Sequence, residues 1–250
     1  MASKVLIERA NDVLRLVLNR PEKKNALDRE MYLALIEALK AAEADEGVRV
    51  VLFSGAGGVF TAGNDLSDFL LSGAEAAEDF PALRFVVTLA KFPKPVISAV
   101  AGDAVGVGST MLLHCDLVYA APNARFKFPF VDLGLVPEAA SSLLAPQLFG
   151  GVKAAQYLLL CEFLGAEEAL RLGFINEIVA EADLLSKAES VARKLAEKPF
   201  DALLATRRLL RADLQDILAR IEEEAKLFRE AMAQPAMQAR IAAFFAKDRR

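Results

Sequence analysis

Val5 and Ile7, then Leu14, Leu16 and Leu18, recur at a period of two, with Arg15 on the opposite face of the second run and Asn11-Asp12 between the runs. This pattern predicts an opening β-hairpin. From Leu27 the period lengthens: Leu27, Met31, Ala34, Leu35, Ala38, Leu39 and Ala42 share one helical face, with Asp28 and Glu30 near the start and Gly47 beyond the end. Val48 to Phe53 reads as a short buried strand, and the glycines that follow at 55, 57, 58 and 63 leave the backbone free to approach a ligand. The plan then repeats. A helical pattern runs from Leu83 to Phe92, breaks at Pro93 and Pro95, and gives way to an apolar strand from Val96 to Val100. After Gly102, Gly106-Val107-Gly108 opens a helix directed through Leu112 and Leu113 towards Cys115, and Leu117 to Ala120 and Arg125 to Phe128 add short strands. Alternating β and α units predict an α/β core with a mainly parallel sheet and crossover helices.

Beyond about Ala139 the strand signal fades. Val152 to Leu160, Ala166 to Leu172, Ala182 to Ala196 and Asp213 to Met232 favour helix, and Leu214, Ile217, Leu218, Ile221, Ala225 and Phe228 form an apolar stripe on the last. Such a stripe packs either on the α/β core or on a neighbouring subunit. The resulting division is an α/β core over residues 1–195 and a helical region over 196–250.

With 250 residues, 54% of them hydrophobic and 26% charged, the chain buries a sizeable core without staples. A net charge of -4 with no block of like charge argues against a nucleic-acid surface and against adhesion to anionic lipid, which leaves small molecules or proteins as partners. Cys115 and Cys161 both lie in apolar runs and read as reduced core thiols of a cytoplasmic protein. Neither a secretory h-region nor a bilayer-spanning stretch is evident, and no peroxisomal tripeptide ends the sequence.

Several catalytic chemistries are disfavoured. The one histidine, His114, sits in an apolar run, so no His-rich metal site is expected and a Ser-His-Asp triad is unsupported. Gly106-Val107-Gly108 is not continued to a dinucleotide fingerprint, because Met111 stands where its third glycine would be, and no glycine turn is followed by a P-loop lysine. What remains are two glycine-flanked turns, Phe60-Thr61-Ala62-Gly63-Asn64-Asp65-Leu66 and Gly106-Val107-Gly108-Ser109, each joining a strand to a helix start. Turns of this kind aim free backbone N–H groups outward, where a pair of them stabilises a developing oxyanion.

These two turns, together with Leu18-Asn19-Arg20-Pro21, Asn25-Ala26-Leu27, Lys94 to Gly102, Cys115-Asp116, Phe126 to Pro137 and Ala169 to Asn176, resemble the crotonase or enoyl-CoA hydratase/isomerase family over nearly the whole chain. The resemblance implies a spiral of repeated ββα units with a C-terminal helical region that forms trimers or dimers of trimers, Phe244 to Lys247 reaching a neighbour's ligand. It implies an acyl-CoA thioester as substrate, with no further cofactor because coenzyme A is part of that substrate. The thioester oxygen would be held by the backbone N–H groups of Asn64 and Val107. Ala62 and Leu66 would border the adenine, and Lys23 or Lys24 would approach the phosphates.

Within the family, hydratases manage one water with two glutamates, at the positions matched here by Thr110 and by Phe130 after Pro129. Threonine is no base at neutral pH and phenylalanine holds no water, so hydration is expected to be weak. A carboxylate stands instead at Glu138, in Leu135-Val136-Pro137-Glu138, which read on its own is an ordinary first-turn helix acid. In the context of the resemblance, Glu138 matches the sole base of peroxisomal-type Δ3,Δ2-enoyl-CoA isomerases, with Phe128 and Phe130 lining an apolar acyl pocket. Ring-isomerising aromatic acyl-CoA isomerases and hydratase-like proteins are the enzymatic alternatives. A non-catalytic acyl-CoA or RNA binder is the alternative of another class. Asp65, Asp68, Asp103 and Asp116 read as acids that satisfy backbone N–H groups near element ends.

Overall fold

The computed structural model describes residues 3–65, 80–211 and 213–234. The opening hairpin is formed by β1 (Val5–Ala10) and β2 (Val13–Leu18), which pair antiparallel with Val5 opposite Leu18. After α1 (Arg29–Ala44) the chain alternates: β3 (Val50–Gly55), α2 (Pro81–Lys91), β4 (Val96–Val100), β5 (Asp103–Val105), the short α3 (Val107–Thr110), β6 (Leu117–Ala120) and β7 (Arg125–Lys127). Next come α4 (Ser141–Phe149), α5 (Gly151–Leu159), β8 (Leu164–Gly165), α6 (Ala166–Arg171) and β9 (Glu177–Ile178), and then α7 (Glu181–Ala196), α8 (Phe200–Leu210) and α9 (Leu214–Met232).

Six strands make one sheet in the order β1-β2-β3-β4-β6-β9, parallel throughout except for the opening hairpin, and β5-β7-β8 make a second, smaller one. The large sheet is covered on both sides. Leu16, Leu18, Val51 and Phe53 face Met31, Leu35, Phe85 and Leu89 of α1 and α2, while Leu52, Ile97 and Ala99 belong to a second cluster with Leu184, Ala188 and Ala192 of α7. Burial on both faces is why β3 and β4 read as unbroken apolar runs rather than as alternation.

The ends of α1 are fixed by side chains. Asp28 accepts from Met31 N at 3.0 Å as an N-cap and pairs with Lys4 at 2.8 Å. At the other end the buried Lys94 ammonium donates to the carbonyls of Ala42, Asp45 and Val48, and burial lowers its pKa from the usual lysine value. Lys94 thereby ties the last turn of α1 to the entry of β4, with the positive charge at the negative end of the helix dipole.

Three expectations change. The helix after Gly106 runs only to Thr110 and tightens into a 3₁₀ turn over Met111–His114. The chain has to turn there, because Asp116 is held at the mouth of β4: its Oδ2 accepts from Val96 N at 2.7 Å and its own N–H donates to Val96 O at 2.8 Å. The strand signal does not end at Ala139, since β8 and β9 add to the two sheets, but two residues each are too few to show a period. Finally, α4 and α8 were not legible. Pro146 lies inside α4, and the buried residue of α8 is Arg207, which donates to Asp116 at 2.8 Å and to Phe92 O at 2.9 Å, while Leu209 and Leu210 are exposed.

The stripe on α9 is buried within its own chain at Ile217, Ile221 and Phe228. Among the described residues, no helix is long and apolar enough to cross a membrane.

Candidate active site

Asn25 organises the first wall of the site. Fully buried with φ 54°, it accepts from Arg20 N through Oδ1, and its Nδ2 donates to the carbonyls of Ala56, Val59 and Phe60. Its own carbonyl accepts from Thr61 Oγ1, which in turn accepts from Gly63 N. Arg20 adds a 2.6 Å bond to Asp65, so Asp65 serves the loop and is not a free acid. The Leu18-to-Leu27 motif is thus a clamp: one buried amide pins the segment from Ala56 to Gly63 against the turn that follows β2.

The clamped segment is laid along β5. Thr61 N donates to Asp103 O and Val105 N donates to Thr61 O, each at 3.0 Å. Gly63, with φ +89°, lies so close to the second wall that a Cβ there would sit 2.6 Å from Val105 O. Gly108 is likewise pressed on Thr61, where a Cβ would meet Cγ2 at 2.4 Å. These contacts bring Asn64 beside the start of α3, and neither the Asn64 nor the Val107 N–H has a hydrogen-bond partner among the described residues. The glycines are required by this close approach and, at Gly63, by the left-handed backbone. On α1, the buried Tyr32 hydroxyl donates to Asn64 Oδ1, which holds that residue from its side-chain end.

Glu138 reaches the end of α3 from the segment that precedes α4. Thr110 Oγ1, at the end of α3, donates to Glu138 Oε1 at 3.0 Å, and Oε2 has no partner among the described residues. Burial, reinforced by the charge of Glu224, pushes the Glu138 carboxyl up to about 7, against the opposing Thr110 hydrogen bond. Its charge and the burial of Tyr32 hold that phenol well above its ordinary value, so Tyr32 remains a donor. Glu138 is not a first-turn helix acid. It precedes α4 by three residues, and between them Ala139 and Ala140 both adopt left-handed backbone, φ 61° and 54°. The carbonyl of Ala139 lies 2.8 Å from His114 Nε2, and burial lowers the His114 pKa to about 4, so a neutral ring donates this bond.

The other expected residues are placed as follows. Phe130 is buried where the chain turns before the 3₁₀ segment Val131–Leu133, and Phe128 is fully buried in a ring cluster with Phe149 and Phe174. Ala62 N donates to Lys24 O at 2.9 Å, and both Lys23 and Lys24 are exposed. Lys24 lines an open cleft of about 830 Å³ with Pro21, Gly57, Gly58 and Arg125. Leu66 and Asp68 lie outside the described residues, as does the segment from Phe244 to Lys247. Asp103 pairs with Arg125 at 2.8 Å, and Asp116 is the β4 clamp already described, so neither is available for catalysis. No group of three or more metal-ligating side chains occurs among the described residues.

Two paired turns whose N–H groups at Asn64 and Val107 have no partner among the described residues, and a half-buried acid bonded to Thr110 at the end of α3, are the chemistry this site offers, and N–H groups so presented can stabilise an oxyanion. The enoyl-CoA hydratase/isomerase family description matches residues 8–249, and the chain belongs to that family. It is 36% identical over 225 residues to enoyl-CoA delta isomerase 2 of Rattus norvegicus, covering 88% of this chain but 57% of the rat protein's length. Over 193 residues it is 41% identical to 1,2-epoxyphenylacetyl-CoA isomerase of Escherichia coli K12, covering 75% and 74% of the two chains. Among solved structures, Pseudomonas aeruginosa OdaA superposes with a TM-score of 0.93 at 42% identity, covering 97% of this chain and 99% of that one. The expected crotonase fold, with its mostly parallel sheet and C-terminal helices, is therefore the fold of this protein.

Two functional features escaped sequence reasoning. Thr110 was set aside because it is no base, yet it donates to the glutamate. Glu224 was passed over although it falls on the buried face of α9, three residues after Ile221 and four before Phe228. A lone acid in an apolar stripe was the available signal.

Proposed function

We propose that this protein is a Δ3,Δ2-enoyl-CoA isomerase that moves a 3-enoyl thioester's double bond to the 2-trans position with Glu138 as the single base. The observation that carries the reading is a carboxyl group bonded to Thr110 at the end of α3, with a pKa near neutrality and a second oxygen that has no partner among the described residues, while Thr110 and Phe130 stand where hydratases keep their two acids. Glu138 takes a proton from C2, and the electron pair delocalises over C2–C4 onto the thioester oxygen, where the Asn64 and Val107 N–H groups hold the dienolate. The same carboxyl group returns the proton at C4, leaving the double bond between C2 and C3. The proton balance closes on one residue, and the thioester bond to coenzyme A stays intact throughout.

Mixing the protein with trans-3-hexenoyl-CoA tests this directly, since the conjugated 2-enoyl product absorbs where the substrate does not. Crotonyl-CoA is expected to be hydrated at least about 100-fold more slowly than the 3-enoyl ester is isomerised, because Thr110 and Phe130 stand at both positions where hydratases keep the acids that handle water. Equal rates would overturn the reading.

The base must be ionised in the free enzyme, so kcat/KM should fall about tenfold per pH unit below an acid limb near pH 7 and level off above it. A limb near the ordinary carboxylate value would remove Glu138 from the rate.

The similarity to 1,2-epoxyphenylacetyl-CoA isomerase supports a second reading, a ring-isomerising activity on an aromatic thioester at the same site. Turnover of a ring-epoxide thioester without conversion of trans-3-hexenoyl-CoA would favour it. A homotrimeric or hexameric assembly remains part of the proposal, and light scattering showing a monomer would contradict it.

A further inference from the structure

Glu138 is followed by an unfavourable piece of backbone. Two successive non-glycine residues in the left-handed region are strained, and such strain persists only where the surroundings over-determine it. The surroundings of Ala139 and Ala140 do so. His114 holds the Ala139 carbonyl. Ser141 bonds back to the Glu138 carbonyl through both its N–H, at 3.0 Å, and its hydroxyl, at 2.6 Å. The remaining donors of the corner converge on one side chain from a distant part of the sequence: Ala140 N reaches Glu224 Oε2 at 2.7 Å, while Ser142 N and Ser142 Oγ reach Oε1 at 3.0 and 2.6 Å.

Glu224 is 4% exposed. Three donors on its two oxygens are what an ionised carboxylate accepts and a protonated one does not fully accept. It has no free oxygen with which to meet substrate, so it is not a second base. Resting on the isomerase reading of Glu138, we infer that Glu224 is a positioning residue: from α9 it holds the left-handed corner closed and thereby aims the Glu138 carboxyl at Thr110 and the oxyanion hole.

Among the described residues, the same carboxylate is the negative charge that opposes ionisation of Glu138. The titratable groups around the glutamate are Tyr32 on α1, His114 after α3, and Glu224 on α9, with Arg220 donating to Ser142 Oγ beside it. Tyr32 and His114 are neutral at pH 7; burial raises the Glu224 pKa from its ordinary value, while its hydrogen bonds from Ser142 and Ala140 and the Arg220 charge favour the ionised form that faces Glu138.

The experiment combines two measurements on wild type, Glu224→Gln and Glu224→Asp: steady-state kinetics with trans-3-hexenoyl-CoA, and infrared titration of the Glu138 carboxyl, assigned by difference against Glu138→Gln. In Glu224→Gln an amide NH2 opposes the Ala140 N–H and the charge is gone. Its kcat should fall at least about tenfold with KM within about twofold, and Glu138 should titrate roughly one pH unit lower. Glu224→Asp keeps the charge but withdraws the carboxylate by one methylene, so kcat should fall while Glu138 still titrates near its wild-type value.

A folded Glu224→Gln protein that is only less heat-stable, with Glu138 titrating unchanged or kcat retained, overturns the inference, since a merely structural residue would behave that way. If Glu224→Gln does not fold, Glu224→Asp decides, and wild-type kcat there overturns it. Failure of the isomerase reading looks different: wild type leaves trans-3-hexenoyl-CoA unconverted, or Glu138→Gln stays active, while the infrared titration still reports whether Glu224 governs the carboxyl.

Discussion

Glu138→Gln should lower kcat for trans-3-hexenoyl-CoA by about 1000-fold or more while leaving KM within a factor of about three. The amide keeps the size of the side chain and offers Oε1 to Thr110 as before, so binding and the oxyanion hole are preserved. What is lost is a carboxyl oxygen without a partner that can take and return the proton, and the other acids described near it are engaged elsewhere. Both oxygens of Glu224 are taken up, Asp65 is bonded to Arg20, and Asp116 is bonded to Val96 and Arg207. The substitution should also leave the fold at least as stable above neutral pH. A carboxyl whose folded pKa is raised to about 7 binds its proton more tightly in the native state, so stability falls as pH rises from the unfolded value through 7, and the amide is exempt from that loss. A variant that is destabilised and inactive together would point to a packing role instead. Kinetics and thermal unfolding on the same preparation separate the two.

Gly63→Ala is the second large effect, and it acts on the other half of the chemistry. A Cβ at this position lies 2.6 Å from Val105 O on backbone with φ +89°, so the 60–64 turn must move away from β5 or lose its conformation. The left-handed penalty and the overlap together should cost about 3 kcal/mol, a fall in Tm of about 6–12 °C for a chain of this size. Displacing one of two oxyanion donors should lower kcat by about 100-fold or more. Gly150→Ala is the control. Its φ is also positive, +77°, but a Cβ there meets nothing within 4 Å, so it carries the backbone cost alone and should retain full kcat. Equal kinetic losses in the two variants would show that the close contact with β5 does not set the hole.

Much of the site was legible because its parts are local. The two glycine turns can be read from a few adjacent residues, since a left-handed or crowded position leaves a glycine in the sequence wherever it occurs. Glu138 stood out by resemblance, and Phe130 and Thr110 by what they cannot do. Asn25 was visible as part of a motif but its work was not: a buried amide that bonds to three carbonyls some thirty residues away leaves no periodicity behind. Glu224 was hidden for the same reason, eighty-two residues from the serine whose hydroxyl it binds.

By itself the sequence determined the order of most strands and helices in the first half of the chain, though not β5, together with the parallel α/β class and the two turns able to present N–H groups. Each of these follows from short-range rules: side-chain period, the dihedral freedom of glycine, and the fixed φ of proline. Only the tertiary structure decided that Glu138 leaves the helix start and hangs on a strained corner, that its proton affinity is raised to about 7, and that α8 is seated by Arg207. Those outcomes depend on burial and on which distant groups share a low-dielectric space, and neither quantity is a property of any stretch of residues read alone.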